Sequence, residues 1–546
     1  MQRHDLLIRD ILLFAEREHG EREIVTLSHD DEIRSNYRKV AKRARLLSSA
    51  FERLGIRPGE RVGTLMMNSQ WHFELYYGVA CMGAICHTIN PRLFVEQLAY
   101  IINHAGDRAL CVDTAFLELI EPIAADIARS VKTIVIVGQP SDDGIATRLG
   151  AWFDIIDYED LLATGSADYS WPNLDENIAS SLCYTSGTTG NPKGVLYSHR
   201  STVIHAYGAN LKDAFGLGSR DVVLPLVPMF HANCWAFPYL APMVGAKLIL
   251  SQKSLMDGEI ITQLINREKV TFSVAVPTIW AALLRHLRAS GDTIKSVQRL
   301  QVGGAACPFP IVQAFDKDYG VAVTHGWGMT ELSPIGVINQ PKPAMYDWPA
   351  DERLDHQRKQ GRGICGIDMK IVDTAGNDIP RDGKTSGRLL TRGHWVVDTY
   401  FGHDQSSLED GWFDTGDIST IDSDGYMQIV DRAKDVVKSG GEWISSVELE
   451  QIAMSIPGID EAAVIPARHP KWDERPLLIA VRSEGSNIVR ADVLAGFDGK
   501  IAKWWTPDDV IFVEELPHTA TGKVLKTALR EIYQDHFIKN VMQSSN

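Results

Sequence analysis

One stretch of the chain, Thr185-Ser-Gly-Thr-Thr-Gly-Asn-Pro-Lys-Gly194, constrains its fold and function more than any other. It follows the apolar segment 181–184, which we predict to be the end of a buried strand. Glycines let a backbone fold back with its N–H groups aimed at one point, and hydroxyls add further donors. Lys193 adds a positive charge. The stretch therefore favours a loop that binds a polyphosphate, although its spacing is not that of Walker A. A flexible polar turn is the alternative.

The length and charge of the chain limit its architecture and its partners. With 546 residues it is too long for one hydrophobic core, so two or more domains are expected. A net charge of −15 argues against nucleic acid as a partner. The seven cysteines are dispersed without a Cys-x-x-Cys pair, which argues against disulfides and cysteine metal sites and favours the cytoplasm. Residues 1–20 predict an amphipathic helix and no signal peptide.

Residues 222–246 contain no Asp, Glu, Lys or Arg and are numerous enough to span a bilayer. They also contain four prolines, which would break a single helix and leave backbone groups unpaired in lipid. We therefore predict a buried strand, a loop and a buried helix in this run, and no transmembrane segment.

Helical and strand patterns alternate along most of the chain. Helices are predicted over 38–54, 71–82, 95–104, 198–215 and 260–268, and strands over 61–67, 84–89, 109–112, 221–226, 271–276 and 300–302. This alternation predicts an α/β fold with layers and mostly parallel sheets. Gly361 to Gly366 matches Gly-x-Gly-x-x-Gly, but a strand-like segment follows it instead of a helix, which argues against a dinucleotide site.

The last third of the chain has a different pattern. Short segments and turn signals over 366–430 predict a β-rich subdomain. A capping box at 445–448 predicts a helix that ends at Met454. Strands over 462–465 and 477–481 and a helix over 492–504 complete a compact α+β domain of ordinary size.

Several motifs together resemble those of the adenylate-forming superfamily, whose AMP-binding signature is similar to the stretch at 185–194. The others follow in the superfamily's order: Gly303-Gly-Ala-Ala306, Gly326-Trp-Gly-Met-Thr-Glu331, Trp412-Phe-Asp-Thr-Gly-Asp417, Asp431-Arg-Ala-Lys-Asp435, Lys438-Ser-Gly-Gly-Glu-Trp443 and Thr519-Ala-Thr-Gly-Lys523. The resemblance spans nearly the whole chain and is to acyl-CoA synthetases of the medium-chain fatty-acid ligase type. Within that group the chain is most similar to 3-(methylthio)propionyl-CoA ligases.

The resemblance implies a domain organisation and a reaction. A large N-terminal domain would cover 1–431 with its β-rich subdomain at 366–430, a hinge would lie at 432–436, and a small mobile domain would cover 437–546. The enzyme would be an acid–CoA ligase that uses ATP, Mg²⁺ and coenzyme A. It would form an acyl-adenylate with release of pyrophosphate, and then acyl-CoA and AMP. The acid would be short or medium in length, with 3-(methylthio)propionate as the specific expectation and medium-chain fatty acids as the alternative.

The resemblance also implies roles for individual residues. The implied catalytic residues are Lys523, His231, Glu331 and Thr185, of which Thr185 and Glu331 would hold Mg²⁺. The implied nucleotide and CoA contacts are Thr185, Ser186, Gly187, Thr188, Thr189, Gly190, Lys193, Gly304, Ala305, Ala306, His325, Gly326, Trp327, Gly328, Met329, Thr330, Asp417, Ile429, Arg432, Lys434, Lys438, Gly440, Gly441 and Trp443. The implied acid contacts are His231, Trp235, Gly303, Gly304, Met329 and Pro334.

The residue chemistry agrees with several of these roles and leaves some alternatives open. A carboxylate such as Glu331 suits a hard cation beside phosphate, and the carboxylate of Asp417 can accept hydrogen bonds from both ribose hydroxyls. Residues 303–306 could instead form a tight strand-to-helix turn, and His231 could be a core histidine. Taken alone, Lys523 could simply be exposed to solvent.

Two other classes of function compete with the ligase. An amino-acid adenylation protein would need an acidic residue for the substrate amine, and the segment around Trp235 has none. A regulator that binds adenylate without catalysis would not need Lys523, Glu331 and Lys438, which are all present. We expect the protein to be a homodimer.

Overall fold

The computed structural model describes residues 1–28, 31–138, 143–185, 191–253, 256–440, 442–518 and 524–539. The chain forms two compact units. The first contains residues 1–368 and 392–413, and the second contains 369–391 and 414–546. The domain limits and the hinge at 432–436 given above stay predictions.

A seven-stranded sheet in the first unit carries the stretch that begins at Thr185. Its strands lie in the order Asp154–Asp157, Thr133–Val137, Asp107–Asp113, Arg61–Leu65, Ile85–Thr88, Ala179–Tyr184 and Gly194–Ser198. All neighbours are parallel except the last pair, in which Tyr184 lies opposite Gly194. Residues 185–193 therefore connect two adjacent antiparallel strands, and the predicted buried strand before them is confirmed.

The first unit also contains a nine-stranded sheet. Its strands lie in the order Arg362–Gly363, Ile335–Ile338, Ala322–Gly328, Arg299–Val302, Phe272–Ala275, Val222–Pro225, Lys247–Ser251, Glu23–Leu27 and Glu32–Asn36. The six strands from Ala322–Gly328 to Glu23–Leu27 are parallel, and the outer pairs are antiparallel. Because parallel strands end at the same edge, this sheet brings residues after 302 and after 328 to one place, where α/β folds commonly bind ligands.

Helices cover these sheets, and polar side chains cap the N-termini of several of them. Asn36 accepts a hydrogen bond from the N–H of Lys39, and Ser69 accepts one from that of His72. The α-helices of the first unit that the structure describes are Ile8–His19, Tyr37–Arg53, Gln70–Ala80, Val95–Ala105, Leu117–Ile120, Ala124–Ile127, Asp143–Leu149, Tyr158–Ala163, His199–Ala209, Phe237–Val244, Gly258–Glu268, Pro277–Ser290, Phe309–Tyr319 and Ala350–His356. The predicted alternation of helices and strands is confirmed.

The helix predicted over 198–215 is too long, because it ends at Ala209. Asn210 terminates it: its side-chain amide donates to the carbonyl of Leu217 at 3.3 Å and accepts from the N–H of Leu217 at 2.9 Å. These bonds close a loop that competes with further helical turns.

The charge-free run forms the predicted strand, loop and helix, as Val222–Pro225, a turn, and Phe237–Val244. Most of its side chains are buried in the first unit. Across the described ranges, no helix combines the length and the apolar character needed to cross a membrane.

The second unit contains most of the β-rich segment and the whole α+β segment that the sequence predicts. In the first of these, the strands Ile367–Val372, Gly387–Gly393 and Trp412–Ile421 are neighbours in that order, and Met427–Arg432 pairs with Trp412–Ile421. The other sheet has the order Glu442–Ile444, Val437–Ser439, Asp473–Arg482 and Ile459–His469, with Asp509–Val513 beside Asp473–Arg482. The helices described in this unit are Ser446–Met454, Arg490–Ala495 and Lys526–Tyr533.

Local signals explain one success and one error in the second unit. The Oγ of Ser445 accepts from the N–H of Glu448 at 3.1 Å, which confirms the predicted helix start. The helix predicted over 492–504 is wrong in length, because it ends at Ala495. Gly496 follows it, and Gly499 adopts φ of 73°, a conformation that favours glycine and does not continue a helix.

Candidate active site

Thr185 and Lys193 close the base of the loop between the two antiparallel strands. The N–H of Thr185 donates to the carbonyl of Lys193 at 2.9 Å, and the N–H of Lys193 donates to the Oγ1 of Thr185 at 3.3 Å. Ser186, Gly187, Thr188, Thr189 and Gly190 lie outside the described residues. Thr185 and Lys193, both within the predicted phosphate-binding stretch, are therefore held together by one bond between their backbones and one to the Thr185 hydroxyl.

Glu331 and Lys193 both contact Tyr400, a residue that the sequence did not indicate. The phenol of Tyr400 donates to the Oε1 of Glu331 at 2.8 Å. The Nζ of Lys193 lies 4.7 Å from the centroid of the Tyr400 ring, a cation–π distance. Burial, together with the charge of Glu331, raises the pKa of Tyr400, so the phenol stays protonated and acts as the donor.

Backbone bonds hold Glu331 in place. The strand Ala322–Gly328 ends in a 3₁₀ turn over Thr330–Leu332. The phenol of Tyr197 donates to the Thr330 carbonyl at 2.7 Å, and the N–H of Val397 donates to the Glu331 carbonyl at 2.8 Å. The turn that carries the predicted metal ligand is thus fixed from two sides.

Gly328 is required by the close approach of the chain at Pro334. A Cβ on Gly328 would lie 2.0 Å from the carbonyl oxygen of Pro334, which no side chain tolerates. The N–H of Met329 donates to the same carbonyl at 3.0 Å. This bond brings together Met329 and Pro334, two predicted contacts of the acid.

Trp235 packs on the glycines that follow the strand Arg299–Val302. A Cβ on Gly303 would lie 2.8 Å from the Cη2 of Trp235, and a Cβ on Gly304 would lie 3.7 Å from its Cζ2. Gly304 has φ of 80°, in the left-handed region that glycine adopts readily. The structure thus brings together three predicted contacts of the acid, because the bulky indole of Trp235 packs against the backbone of Gly303 and Gly304.

A left-handed turn positions this indole. The five residues Ala232–Ala236 all have φ between 44° and 70°, and the strained conformation costs roughly 1–2 kcal/mol per residue. Asn233 anchors the turn: its amide donates to the Oγ of Ser181 at 2.8 Å and accepts from the Sγ of Cys183 at 3.3 Å. Backbone strain of this kind persists where surrounding contacts impose it, and it is concentrated at functional sites.

His231 precedes this turn and is half-buried. Its N–H donates to the carbonyl of Pro228 at 3.2 Å, and its carbonyl accepts from the N–H of Cys234 at 3.1 Å. The predicted acid contact therefore lies at the start of the segment that carries Trp235.

Several residues predicted to contact the nucleotide lie on or directly after two neighbouring parallel strands. His325 is buried, and its Nε2 donates to the carbonyl of Ala305 at 3.2 Å. Burial lowers the pKa of His325 to about 4, so this imidazole is neutral near pH 7. Trp327 is also buried, and a Cβ on Gly336 would lie 3.0 Å from its ring. Gly304 and Ala305 are exposed and Ala306 is half-buried, so this backbone is open to a ligand.

The second unit carries the predicted ribose contacts. The side chain of Asp417 is only 3% exposed, and its Oδ1 lies 2.7 Å from the Nε of Arg432 on the adjacent strand. The N–H of Asp417 donates to the Oγ1 of Thr415 at 3.1 Å. Ile429, the third predicted contact on these strands, is half-buried opposite Ser419. The pair of Asp417 and Arg432 is therefore a fixed feature of this unit.

The predicted hinge and CoA loop also belong to the second unit. Lys434 and Lys438 are exposed, and Trp443 is half-buried. Gly440 has φ of 59°, and its N–H donates to the carbonyl of Trp472 at 3.1 Å. Gly441 and Lys523 lie outside the described residues.

The oxygen donors of the first unit fit Mg²⁺. Glu331 offers a carboxylate and Thr185 a hydroxyl, and Mg²⁺ prefers such oxygens. The described residues contain no cluster of three or more His, Cys, Asp or Glu side chains that could hold a metal. Mg²⁺ usually keeps several waters and is bound through one or two carboxylates together with substrate phosphates, so Glu331 and Thr185 could hold it together with ATP.

The chain is similar to known proteins over nearly its whole length. Residues 14–401 match the family described as AMP-binding enzyme, and residues 448–523 match the AMP-binding enzyme C-terminal domain. The chain is 51% identical to a 3-methylmercaptopropionyl-CoA ligase of Ruegeria pomeroyi, over 98% of each chain. It is 49% identical to a medium-chain-fatty-acid–CoA ligase of Ectopseudomonas oleovorans, over 99% of this chain and 98% of that protein.

A solved structure shares the fold. The anthranilate CoA ligase AuaEII, in complex with anthranoyl-AMP, superimposes with a TM-score of 0.84 at 27% identity. The match covers 97% of this chain and 98% of that one.

Proposed function

Because this chain belongs to the family of AMP-binding enzymes and is an AMP-forming acid–CoA ligase that uses ATP, Mg²⁺ and coenzyme A, we propose that its acid is 3-(methylthio)propionate. The observation that carries the proposal is the identity of about one half, over nearly the whole chain, to a ligase named for this acid. The product is then 3-(methylthio)propionyl-CoA, with AMP and pyrophosphate.

The surroundings of Trp235 support a short, largely apolar acid. The indole lies against Gly303 and Gly304, in a segment without charged side chains. A thioether packs like a methylene group and is polarisable, so it suits contact with an aromatic ring. A bulky side chain at this place favours acids of modest length over long fatty acids.

The first half-reaction joins the carboxylate of the acid to the α-phosphate of ATP. In our proposal the loop from Thr185 to Lys193 binds the phosphates, and Lys523 bridges the two reacting anions. His231 lies beside the carboxylate of the acid, and Asp417 and Arg432 bind the ribose. Glu331 and Thr185 would hold Mg²⁺, which when bound would supply positive charge that offsets the charge on the phosphate oxygens.

The second half-reaction transfers the acyl group to the thiol of CoA. We assign Lys438, Gly440, Gly441 and Trp443 to the CoA arm, since glycines let a thin chain pass close to the backbone. The small domain would rotate about Lys434 between the half-reactions, as closing domains do on a microsecond to millisecond scale. We also propose a homodimer in the cytoplasm.

A panel of acids tests the substrate. The protein is incubated with ATP, Mg²⁺, CoA and straight-chain acids from acetate to palmitate, together with 3-(methylthio)propionate, and AMP formation is measured. We expect the highest kcat/KM for 3-(methylthio)propionate or for a straight-chain acid of similar length. A maximum at octanoate would favour a medium-chain ligase, the name of the relative from Ectopseudomonas oleovorans. A maximum at palmitate would refute both assignments.

A further inference from the structure

Tyr400 lies on a short segment that connects two of the motifs in the first unit. At one end of this segment, the N–H of Val397 donates to the carbonyl of Glu331 at 2.8 Å. At its other end, the N–H of Phe401 donates to the carbonyl of Gly194 at 2.8 Å. The segment is therefore bonded to the turn with the metal carboxylate and to the strand that follows the phosphate loop.

The side chain of Tyr400 also contacts both motifs, through the charged groups of Glu331 and Lys193. Its hydroxyl donates to the Oε1 of Glu331 at 2.8 Å, and the ammonium of Lys193 lies 4.7 Å from its ring centroid. A hydrogen bond from a neutral donor to a carboxylate fixes the rotation of the carboxylate, and an aromatic face fixes the position of a cation. One residue thus restricts two groups of opposite charge.

We propose that Tyr400 is a positioning residue that orients Glu331 for Mg²⁺ and Lys193 for the phosphates of ATP. The inference rests on the roles proposed above for Glu331 and Lys193. Without Tyr400, both flexible side chains would have to be ordered when the ligands bind, and that cost would weaken binding. The hydroxyl serves the metal, and the ring serves the lysine, so different substitutions separate the two effects.

Tyr400→Phe keeps the ring and removes the hydroxyl. We expect it to weaken the binding of the divalent ion about ten- to a hundredfold, the usual loss when a partner that orients a metal ligand is removed. The direct readout is Mn²⁺ binding in the presence of ATP, followed by electron paramagnetic resonance without any acid. The concentration of Mg²⁺ that gives half-maximal adenylate formation should rise by the same factor, and the affinity for ATP without metal should not change.

Tyr400→Leu removes the ring as well. It should weaken metal-free ATP binding several-fold beyond Tyr400→Phe, as measured by calorimetry with a chelator present. Equal affinities of the two variants for metal-free ATP would refute the part of the proposal that concerns Lys193.

A matched control is available at Tyr158, whose phenol donates to the Oε2 of the buried Glu74 at 2.7 Å. Tyr158→Phe removes an equivalent bond to a carboxylate that we do not place in the site. It should lower the thermal stability and leave the Mn²⁺ affinity at the wild-type value. A loss of Mn²⁺ affinity in this control as large as in Tyr400→Phe would attribute the effect to stability and overturn the proposal.

Double substitution with Glu331→Gln gives a second test. Once the metal carboxylate is gone, Tyr400→Phe should cause no further loss of Mn²⁺ affinity. A further loss, or a wild-type affinity in the single variant, would overturn the proposal. Because the measurements of Mn²⁺ and ATP binding do not use the acid, an error in the assigned acid would leave them unchanged and would show only in the substrate panel and in adenylate formation.

Discussion

Replacing Gly303 by alanine tests the proposed pocket for the acid, because Trp235 and Gly326 already occupy the space that the new methyl group would need. An added Cβ would lie 2.8 Å from the Cη2 of Trp235 and 3.1 Å from the backbone oxygen of Gly326. Carbon atoms in contact prefer about 3.5–4.0 Å, so the indole would have to move by about 0.7 Å or more. Gly303 does not have a left-handed φ, so the backbone itself accepts alanine.

The displaced indole should narrow the pocket. Overpacking costs typically 1–3 kcal/mol, so kcat/KM for the longest acids accepted should fall about five- to 150-fold. Acids of two or three carbons should be affected least. The assay is the formation of AMP over the acid panel, with the ATP affinity measured separately. An equal loss for every acid, or no loss at all, would refute the reasoning.

Two further variants decide the cause of such a loss. Trp235→Phe replaces the indole by a smaller ring. When it is combined with Gly303→Ala, the double variant should regain activity with the longer acids. Gly218→Ala adds the same methyl group where no other atom lies within 4 Å, and it should change neither the activity nor the chain-length profile. If Trp235→Phe failed to restore the profile, the clash would lie with the oxygen of Gly326 instead.

Three more predictions concern the nucleotide, the lysine and the stability of the fold. Asp417→Ala should weaken ATP binding, measured by calorimetry, about ten- to a hundredfold, because it removes a buried charge-assisted hydrogen bond. The control Asp378→Ala breaks an exposed ion pair with Lys370 and should leave ATP binding unchanged. Lys523→Ala should slow acyl-adenylate formation about a hundredfold or more and spare thioester formation from synthetic acyl-adenylate; equal losses in both steps would contradict the role proposed for Lys523. Burial opposes ionisation of Glu268, but Lys247, Arg34 and Arg267 outweigh it and lower its pKa to about 2. Its charge therefore stabilises the fold above about pH 4.5, and this stabilisation is lost as the pH falls toward 2. Glu268→Gln should lower the free energy of unfolding by roughly 2 kcal/mol at pH 7. When the free energy of unfolding is measured in urea, the difference between the variant and the wild type should shrink below pH 4.5.

Patterns local in sequence predicted much of the fold. The strand before Thr185 and the helix that Ser445 begins follow from apolar runs and capping residues, and the structure contains both. The helix predicted over 492–504 is wrong in length: the apolar spacing continues to Trp504, but the helix ends at Ala495, and Gly499 adopts φ of 73°, which a helix does not contain. Helix length thus depends on single residues that a periodic pattern does not weigh, such as Gly499 here and Asn210 after the helix that ends at Ala209.

Contacts that arise only in the folded chain were beyond reach of the sequence. Tyr400 lies 69 residues from Glu331, in a segment whose local sequence carries no signal for a contact with it. The left-handed turn Ala232–Ala236 contains no glycine, although glycine is the residue that most readily adopts positive φ. Its conformation depends on Asn233 and its partners on another strand, so no local propensity predicts it.

That turn also links two parts of the candidate site. Asn233 is bonded to Ser181 and Cys183, which belong to the strand that leads into Thr185. Trp235, two residues after Asn233, lies on the glycines where the acid is proposed to bind. The strand before the proposed phosphate loop therefore also anchors the proposed acid pocket, and the bonds of Asn233 to that strand are among the contacts that hold the five left-handed residues. Holding two reactants at fixed positions on one rigid element lowers the entropic part of the barrier, which is what a reaction between a carboxylate and a phosphate, both anions, requires.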